Sequence, residues 1–187
     1  MVATSAKRYS FEEYCQYDDG TNTRYELEHG QLIAMTPPKG LHFLIAQRLE
    51  RLFTAQLQQR EESWVCLKEA GLRTTERKSR MPDLMVIEEK YFMELLDEAL
   101  IFEKSPLVAV EIVSPESATR DYRYKRSEYA AIAVPEYWIV DPQEEKVTVL
   151  IFNEGLYDET VFSGIEKIIS PQFPGLDISP QELFELP

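Results

Sequence analysis

The sequence predicts a mixed α/β (α+β) fold, in which a central mixed β-sheet is flanked by helices and carries extra β-hairpins. Two segments, Leu41–Arg60 and Thr119–Ile132, have apolar residues at helical spacing and alternate with strand-like runs. The apolar run Leu107–Val113 is continuous, as expected of a strand that is covered on both faces. An order of helix, several strands, helix and further strands is typical of helices packed on a sheet.

The first third of the chain is predicted to hold a short helix, a hairpin and a long helix. Ser10–Tyr17 begins with a capping box, because an acidic residue follows the serine at the required spacing. Tyr25–Met35 reads as two short strands joined by a turn that leaves His29 in solvent. Leu41–Arg60 follows as the long amphipathic helix.

The later segments supply most of the sheet. Strands are expected over Trp64–Glu69, Leu72–Thr75, Pro82–Ile87 and Leu107–Val113. Tyr91–Leu100 is compatible with a helix or with an ordered loop. A hairpin is expected from Tyr137–Asp141 and Lys146–Phe152. The tail from Thr160 adds one or two edge strands and a short helix near Pro180–Glu185.

Composition suits a globular protein. The chain has 187 residues, of which 44% are hydrophobic, and this is enough for one domain spanning residues 1–187. No apolar run approaches the roughly 20 residues of a membrane helix, and the polar start Met1–Ser10 lacks a signal peptide's apolar stretch. We therefore expect a cytoplasmic protein that does not contact membranes. Cys15 and Cys66 have no zinc spacing and are expected to be reduced thiols.

Charge is distributed unevenly along the chain. The net charge of −13 argues against loose electrostatic binding to DNA. Two segments, Gly71–Arg80 and Arg120–Arg126, are nevertheless basic, with four basic residues against one acidic residue in each. Charge runs of this kind are usually solvated surface. These two lie beside the motifs that follow.

Glu111 is the first candidate site residue, because it is the only charge in the apolar strand Leu107–Val113. A buried ionised carboxylate is costly unless it is paired or bound to a metal. The alternatives are a different strand register, a position at the exposed strand end beside Ser114, or a buried pair with an arginine.

Asp83 is the second candidate, at the mouth of the apolar strand Pro82–Ile87. A Pro-Asp pair alone usually marks a turn. Neighbouring strands lie about 4.8 Å apart, however, so that Asp83 and Glu111 on paired strands could share one cation. Two carboxylates, waters and a substrate phosphate are the ligands that Mg²⁺ prefers.

Lys125 is the third candidate. It shares a helical stripe with residues expected to face the sheet: Tyr122, Tyr129 and Ile132. The stripe aims Lys125 inward, where it could orient an attacking water or stabilise charge on a phosphate. The alternatives are an ion pair with Asp121, four residues earlier, or a lysine that extends to solvent.

Glu26 and His42 are secondary candidates. Glu26 lies in the predicted hairpin, and His42 lies in the first turn of the long helix on its apolar stripe. A histidine at a helix start is more often structural than a ligand. The stripe nevertheless predicts that His42 faces the sheet.

Taken together, these residues resemble a known family. Pro82-Asp83 followed by a glutamate in an apolar strand is similar to the PD-(D/E)XK nuclease superfamily. The narrower resemblance is to the Uma family of restriction-type endonucleases, formerly a domain of unknown function. It covers nearly the whole chain and is carried by YELEHGQLIAMTP, by His42 and by PDLMVI, VEIVSPESATRDYRYKRSEY and VPEYWIVDP.

The resemblance implies a restriction-endonuclease-like fold in which Asp83 and Glu111 bind Mg²⁺ and Lys125 is the catalytic lysine. In the wider superfamily, the lysine stands two residues after the glutamate, at the position that Val113 holds here. Lys125, on the following helix, takes its place in the Uma pattern and would have to reach back to the site.

The leading hypothesis is therefore hydrolysis of DNA phosphodiesters that depends on Mg²⁺ or Mn²⁺. Glu26 or His42 would complete the metal shell or assist proton transfer. The expected contacts to the DNA backbone are Arg73, Arg77, Arg120 and Arg123.

Two other hypotheses use the same residues. One is a catalytically inactive module of nuclease fold that binds a protein or a neighbouring subunit, and the other is a small-molecule hydrolase or metal-binding protein. Exposed aromatics and the hairpin Tyr137–Phe152 suggest a homodimer.

Overall fold

The computed structural model describes residues 7–186, and over that range it contains eleven strands in two mixed sheets, together with five α-helices and one π-helix. This agrees with the predicted fold class, although the strands form two sheets where the sequence indicated one. Most of the polar N-terminal stretch, Met1–Ala6, lies outside the described residues. None of the helices in the described range is long and apolar enough to cross a membrane.

The smaller sheet has five described strands, namely β1 (Tyr25–Glu28), β2 (Gln31–Ala34), β4 (Gly71–Thr75), β5 (Lys78–Arg80) and β7 (Ile101–Phe102). Their order is β2-β1-β5-β4-β7, and every pairing is antiparallel except that of β4 with β7. β5 was not predicted from the sequence. Its three residues carry two basic side chains, which hide the apolar pattern of a strand.

The larger sheet has six described strands, namely β3 (Trp64–Leu67), β6 (Leu84–Glu88), β8 (Val108–Ile112), β9 (Glu136–Asp141), β10 (Lys146–Asn153) and β11 (Leu156–Ser163). Their order is β11-β10-β9-β8-β6-β3, and β8 is parallel to β9. The predicted hairpin is β9–β10. The edge strand β11 begins at Leu156, before the expected Thr160.

The helices are α1 (Phe11–Cys15), α2 (Gly40–Leu57), α3 (Glu89–Glu94), a π-helix (Arg120–Lys125), α4 (Arg126–Ala131) and α5 (Pro180–Phe184). The predicted capping box is present at Ser10 and Glu13. The helix expected over Thr119–Ile132 starts as a π-helix and continues as α4. The segment left open, Tyr91–Leu100, holds the last four residues of α3 and turns.

The larger sheet is covered on both faces, and its strands alternate between two apolar layers. Val108, Val110 and Ile112 of β8 belong to the layer that α2 and the C-terminal segment cover. Ala109 of β8 and Val113, the residue after the strand, face the second layer, which contains Tyr129 of α4. Because side chains alternate along a strand, Glu111 points into this second layer.

Two of the hairpin aromatics from which a homodimer was expected are not at the surface of the chain. Tyr137 and Trp138 of β9 are fully buried within the chain, because α2 covers one face of the sheet and α4 the other. The one described histidine expected in solvent, His29, is exposed and has a positive φ of 50° in its turn.

Phe53 of α2 is the expected stability determinant of the first layer. Its ring stacks on Phe173 at a centroid distance of 4.2 Å and meets Trp138 edge-on at 5.3 Å. We expect Phe53→Ala to lower the free energy of unfolding by about 3–5 kcal/mol, measured by urea denaturation. Arg51→Ala, on the exposed side of the same helix, should change it by less than about 0.5 kcal/mol. Equal losses in both variants would contradict this assignment.

Candidate active site

Asp83 and Glu111 are brought together by strand pairing. β6 and β8 are antiparallel with Leu84 opposite Val110, so Asp83, one residue before β6, lies beside Glu111. Asp83 Oδ2 accepts a hydrogen bond of 2.6 Å from the backbone N–H of Ile112. The predicted adjacency of the two carboxylates is therefore present in the structure.

His42 contacts Asp83. Its Nε2 lies 2.7 Å from Asp83 Oδ1, and it comes from the first turn of α2. The two side chains are 21% and 22% exposed. We call Asp83, Glu111, Lys125, His42 and Glu26 the cluster. His42 and Asp83 are the part of it that solvent and ligands can reach.

Glu111 lies at the closed end of the cluster and is 3% exposed. Lys125 Nζ donates to its Oε2 at 2.6 Å, and Tyr129 Oη donates to its Oε1 at 2.6 Å. Burial raises the pKa of Glu111 to about 8, with Lys125 opposing the rise and nearby carboxylates such as Asp121 adding to it. The partner is a lysine and not the arginine that one sequence alternative required.

Lys125 is enclosed by carboxylates. Its Nζ lies 2.6 Å from Glu111, 3.4 Å from Asp121 and 3.6 Å from Glu26, and the residue is 3% exposed. Burial opposes the charge of Lys125, but the three carboxylates more than offset it and raise the pKa of the ammonium. Lys125 is therefore protonated at neutral pH. The predicted inward orientation is correct, and the Asp121 ion pair exists beside it.

Glu26 joins this cluster to a second group of buried charges. Its Oε1 accepts from the N–H of Met81 at 3.1 Å, and its Oε2 accepts from Arg80 at 3.2 Å. Although burial opposes it, the positive charges of Lys125 and Arg80 lower the pKa of Glu26. Arg80 also donates two bonds of 2.7 Å to Glu128 on α4. Glu26 thus lies between the candidate site and a structural ion pair.

The four arginines expected to contact DNA lie in different surroundings. Arg73 pairs with Glu103 at 2.7 Å and covers the ring of Phe11. Arg77 and Arg123 are exposed. Arg120 has no ion pair within residues 7–186, and its charge helps lower the pKa of Glu26. Of the four, Arg120 alone acts on the pKa of both Glu26 and Asp121 in the described part of the chain.

Sequence reasoning missed several residues around the cluster. Asp121 was considered only as an ion-pair partner, and Tyr129 only as a packing residue. Both lie four residues from Lys125, a spacing that places side chains on one helix face and could have indicated them. Arg80 and Glu128 gave no local signal, because they come from segments that meet only in the folded chain.

The chemistry of the cluster fits a divalent cation held by few protein ligands. Carboxylates converge on Lys125 in excess of its single charge, and Asp121 Oδ1 accepts no hydrogen bond from any described residue. Among residues 7–186, no three His, Cys, Asp or Glu side chains form a metal-binding group. Asp83 and Glu111 are the residues that would hold such a cation, because Mg²⁺ prefers carboxylate oxygens and needs only one or two of them.

Comparisons with known proteins identify the family and the fold of the chain. A family model, Uma2, described as "Putative restriction endonuclease", matches residues 11–181. The chain belongs to the Uma2 family. A crystal structure of a protein described as "a putative nuclease belonging to DUF820" from Anabaena variabilis ATCC 29413 superposes with a TM-score of 0.76. The match covers 94% of this chain and 97% of that one at 20% identity, which shows a common fold. No curated protein matches.

The raised pKa of Glu111 predicts a pH-dependent stability. A folded-state pKa of about 8, against 4.5 for a free side chain, means that folding favours the protonated form. This contribution is complete below pH 4.5 and is lost as the pH rises through about 8. We expect the free energy of unfolding to fall more steeply with pH across this window in the parent than in Glu111→Gln, measured by urea denaturation. The exposed Glu94→Gln should behave as the parent, and equal slopes for the parent and Glu111→Gln would refute the assignment.

Proposed function

We propose that this Uma2 protein is an endodeoxyribonuclease that hydrolyses phosphodiester bonds with Mg²⁺ or Mn²⁺ held by Asp83 and Glu111. One observation carries the proposal. Two carboxylates from adjacent strands lie side by side, and the ammonium of Lys125 lies 2.6 Å from one of them. Membership of a family described as restriction endonucleases supports DNA as the substrate.

Each residue of the cluster can be given a role. A bound cation would lower the pKa of a water ligand and polarise the phosphate. Lys125 remains protonated among its carboxylates, so its role is to balance charge that develops on the phosphate and not to accept a proton. His42, hydrogen-bonded to Asp83 and partly exposed, is the accessible group for proton transfer. Glu26, whose Oε1 lies 3.6 Å from the Lys125 ammonium, helps to hold that ammonium in place.

Binding of DNA by an acidic protein needs local positive charge. The net charge of −13 repels phosphates at a distance, so contacts have to come from particular side chains. Arg120 is the best placed of the predicted arginines, and Arg77 and Arg123 are exposed. Arg73 already has Glu103 as a partner and would contribute less.

The proposal also covers the assembly of the protein. The family match over residues 11–181 supports one functional unit spanning residues 1–187. A homodimer would supply two active sites, one for each strand of a duplex. A DNA substrate agrees with the cytoplasmic location expected from the sequence.

One observation favours a second candidate function, a catalytically inactive module that binds a protein or a second subunit. Glu111 and Lys125 are only 3% exposed, so a phosphate would have to displace part of the protein to reach the ammonium. An inactive module would keep this buried ion pair for stability alone. It would bind no divalent cation and cut no DNA.

Removal of either carboxylate tests the nuclease proposal. We expect Asp83→Ala and Glu111→Ala to lower Mg²⁺-dependent plasmid nicking by about 100-fold or more, because the transition state loses its main electrostatic support. Calorimetric Mg²⁺ binding should weaken in parallel, and a chelator should abolish parental nicking. Circular dichroism should show folded variants. Asp97→Ala, at an exposed acidic position, is the control and should cut normally. Undiminished cutting by Glu111→Ala would show that the site is assigned wrongly.

Substitution of Arg120 tests the predicted phosphate contact. We expect Arg120→Ala to weaken binding of duplex DNA and to reduce the slope of log affinity against log salt by about one, because one phosphate contact is lost. Fluorescence anisotropy over a salt series, with Ca²⁺ in place of Mg²⁺, measures both quantities. Arg73→Ala should have the smaller effect, because Glu103 already neutralises that arginine. The reverse order would place the DNA on the other basic segment.

A further inference from the structure

The buried carboxylate of Asp121 is not explained by the roles given above. Asp121 is 1% exposed and lies in the π-helix. Its Oδ2 accepts a hydrogen bond from Ser117 Oγ, while its Oδ1 accepts none from any described residue. A buried carboxylate oxygen without a hydrogen bond is destabilising, and its presence calls for a physical explanation.

Several contacts hold Asp121 in place. Its backbone N–H donates to the carbonyl oxygen of Ser117 at 2.9 Å. Its own carbonyl accepts a bond of 3.0 Å from Tyr137 Oη, a buried tyrosine of β9. Together with the Ser117 hydroxyl, these bonds fix the direction of the side chain. The free Oδ1 is thus held in place and is not a disordered group.

The atom that Oδ1 faces is the ammonium of Lys125, at 3.4 Å. The same ammonium donates to Glu111 at 2.6 Å. Lys125 therefore donates a hydrogen bond to Glu111 and has a longer ion-pair contact with Asp121, whose Oδ1 accepts no hydrogen bond from a described residue. The π-helix between Asp121 and Lys125 is a rare geometry, and it frequently occurs at functional sites.

We infer that Asp121 is a positioning residue, which holds the ammonium of Lys125 in the site when Glu111 is engaged with other ligands. The inference rests on the proposed nuclease function, because it needs Glu111 to change partners. Without Asp121, Lys125 would lose its nearest alternative acceptor and would no longer be directed towards the reacting phosphate. With it, the ammonium keeps a fixed partner on its own helix.

Asp121→Asn tests the inference because it keeps the size of the side chain and removes its charge. We expect kcat for plasmid nicking to fall about tenfold or more with KM changed less than about twofold, as for other residues that orient a catalytic group. In a Lys125→Met background, the same substitution should have no further effect on kcat, because the two residues act as one unit. Glu116→Gln, at an exposed acidic position before the π-helix, should keep the parental kcat.

A second measurement does not depend on activity. Nuclear magnetic resonance of protein labelled with ¹⁵N-lysine should show a slowly exchanging ammonium signal for Lys125, identified by its absence in Lys125→Met. Asp121→Asn should shift or broaden this signal, and Glu116→Gln should not.

The two experiments separate the possible failures. Additive losses in the double variant, or an unchanged Lys125 signal in Asp121→Asn, would overturn the positioning role. A parent that cuts no DNA with Mg²⁺ would overturn the nuclease proposal and leave the lysine signal to decide whether Asp121 directs Lys125. A kcat of Asp121→Asn equal to that of the parent would assign Asp121 to stability alone.

Discussion

The contact between the Lys125 ammonium and Glu111 is the constraint around which the second apolar layer is built. A charge taken out of water is stable only when it has hydrogen-bond partners, and those partners must be satisfied as well. Tyr129 satisfies the second oxygen of Glu111, while Asp121 and Glu26 surround the ammonium. The π-helix and α4 must therefore lie against β8 in one register, because a different one would leave a buried charge without a partner.

The same constraint extends to the smaller sheet. Glu26 on β1 contacts Lys125 and is held by Arg80 of β5, and Arg80 in turn makes a two-bond pair with Glu128 of α4. Charged side chains thus link both sheets to one helix. The two basic segments of the sequence consequently differ in use. Arg80 in the first is buried and structural, whereas Arg120 in the second is half-buried and has no ion pair among the described residues.

The cluster is graded from an open end to a closed one. Asp83 and His42 are partly exposed, and Glu111 and Lys125 are almost completely covered. An anionic substrate would meet the open end first, and its approach to Lys125 would compete with the ion pair already present. The positioning role that we infer for Asp121 follows from this competition. A lysine that exchanges partners stays in the site when a second acceptor is already held beside it. The structure also shows that a lysine on a helix, and not on β8, can reach Glu111.

The sequence by itself determined the fold class, most strand and helix positions, and the pairing of Asp83 with Glu111. These follow from local periodicity and from the free-energy cost of a charge in an apolar strand. Both can be recognised from a few adjacent residues. The short strand β5, the division into two sheets and the burial of the β9–β10 aromatics were decided only by tertiary packing. So were the contacts of Glu26, Arg80 and Glu128, because their partners lie on segments that are far apart in the chain. Lys125 lies between the two cases. Its helical stripe indicated that it points inward, but its three carboxylate neighbours exist only because β1, β8 and the π-helix meet in the folded protein.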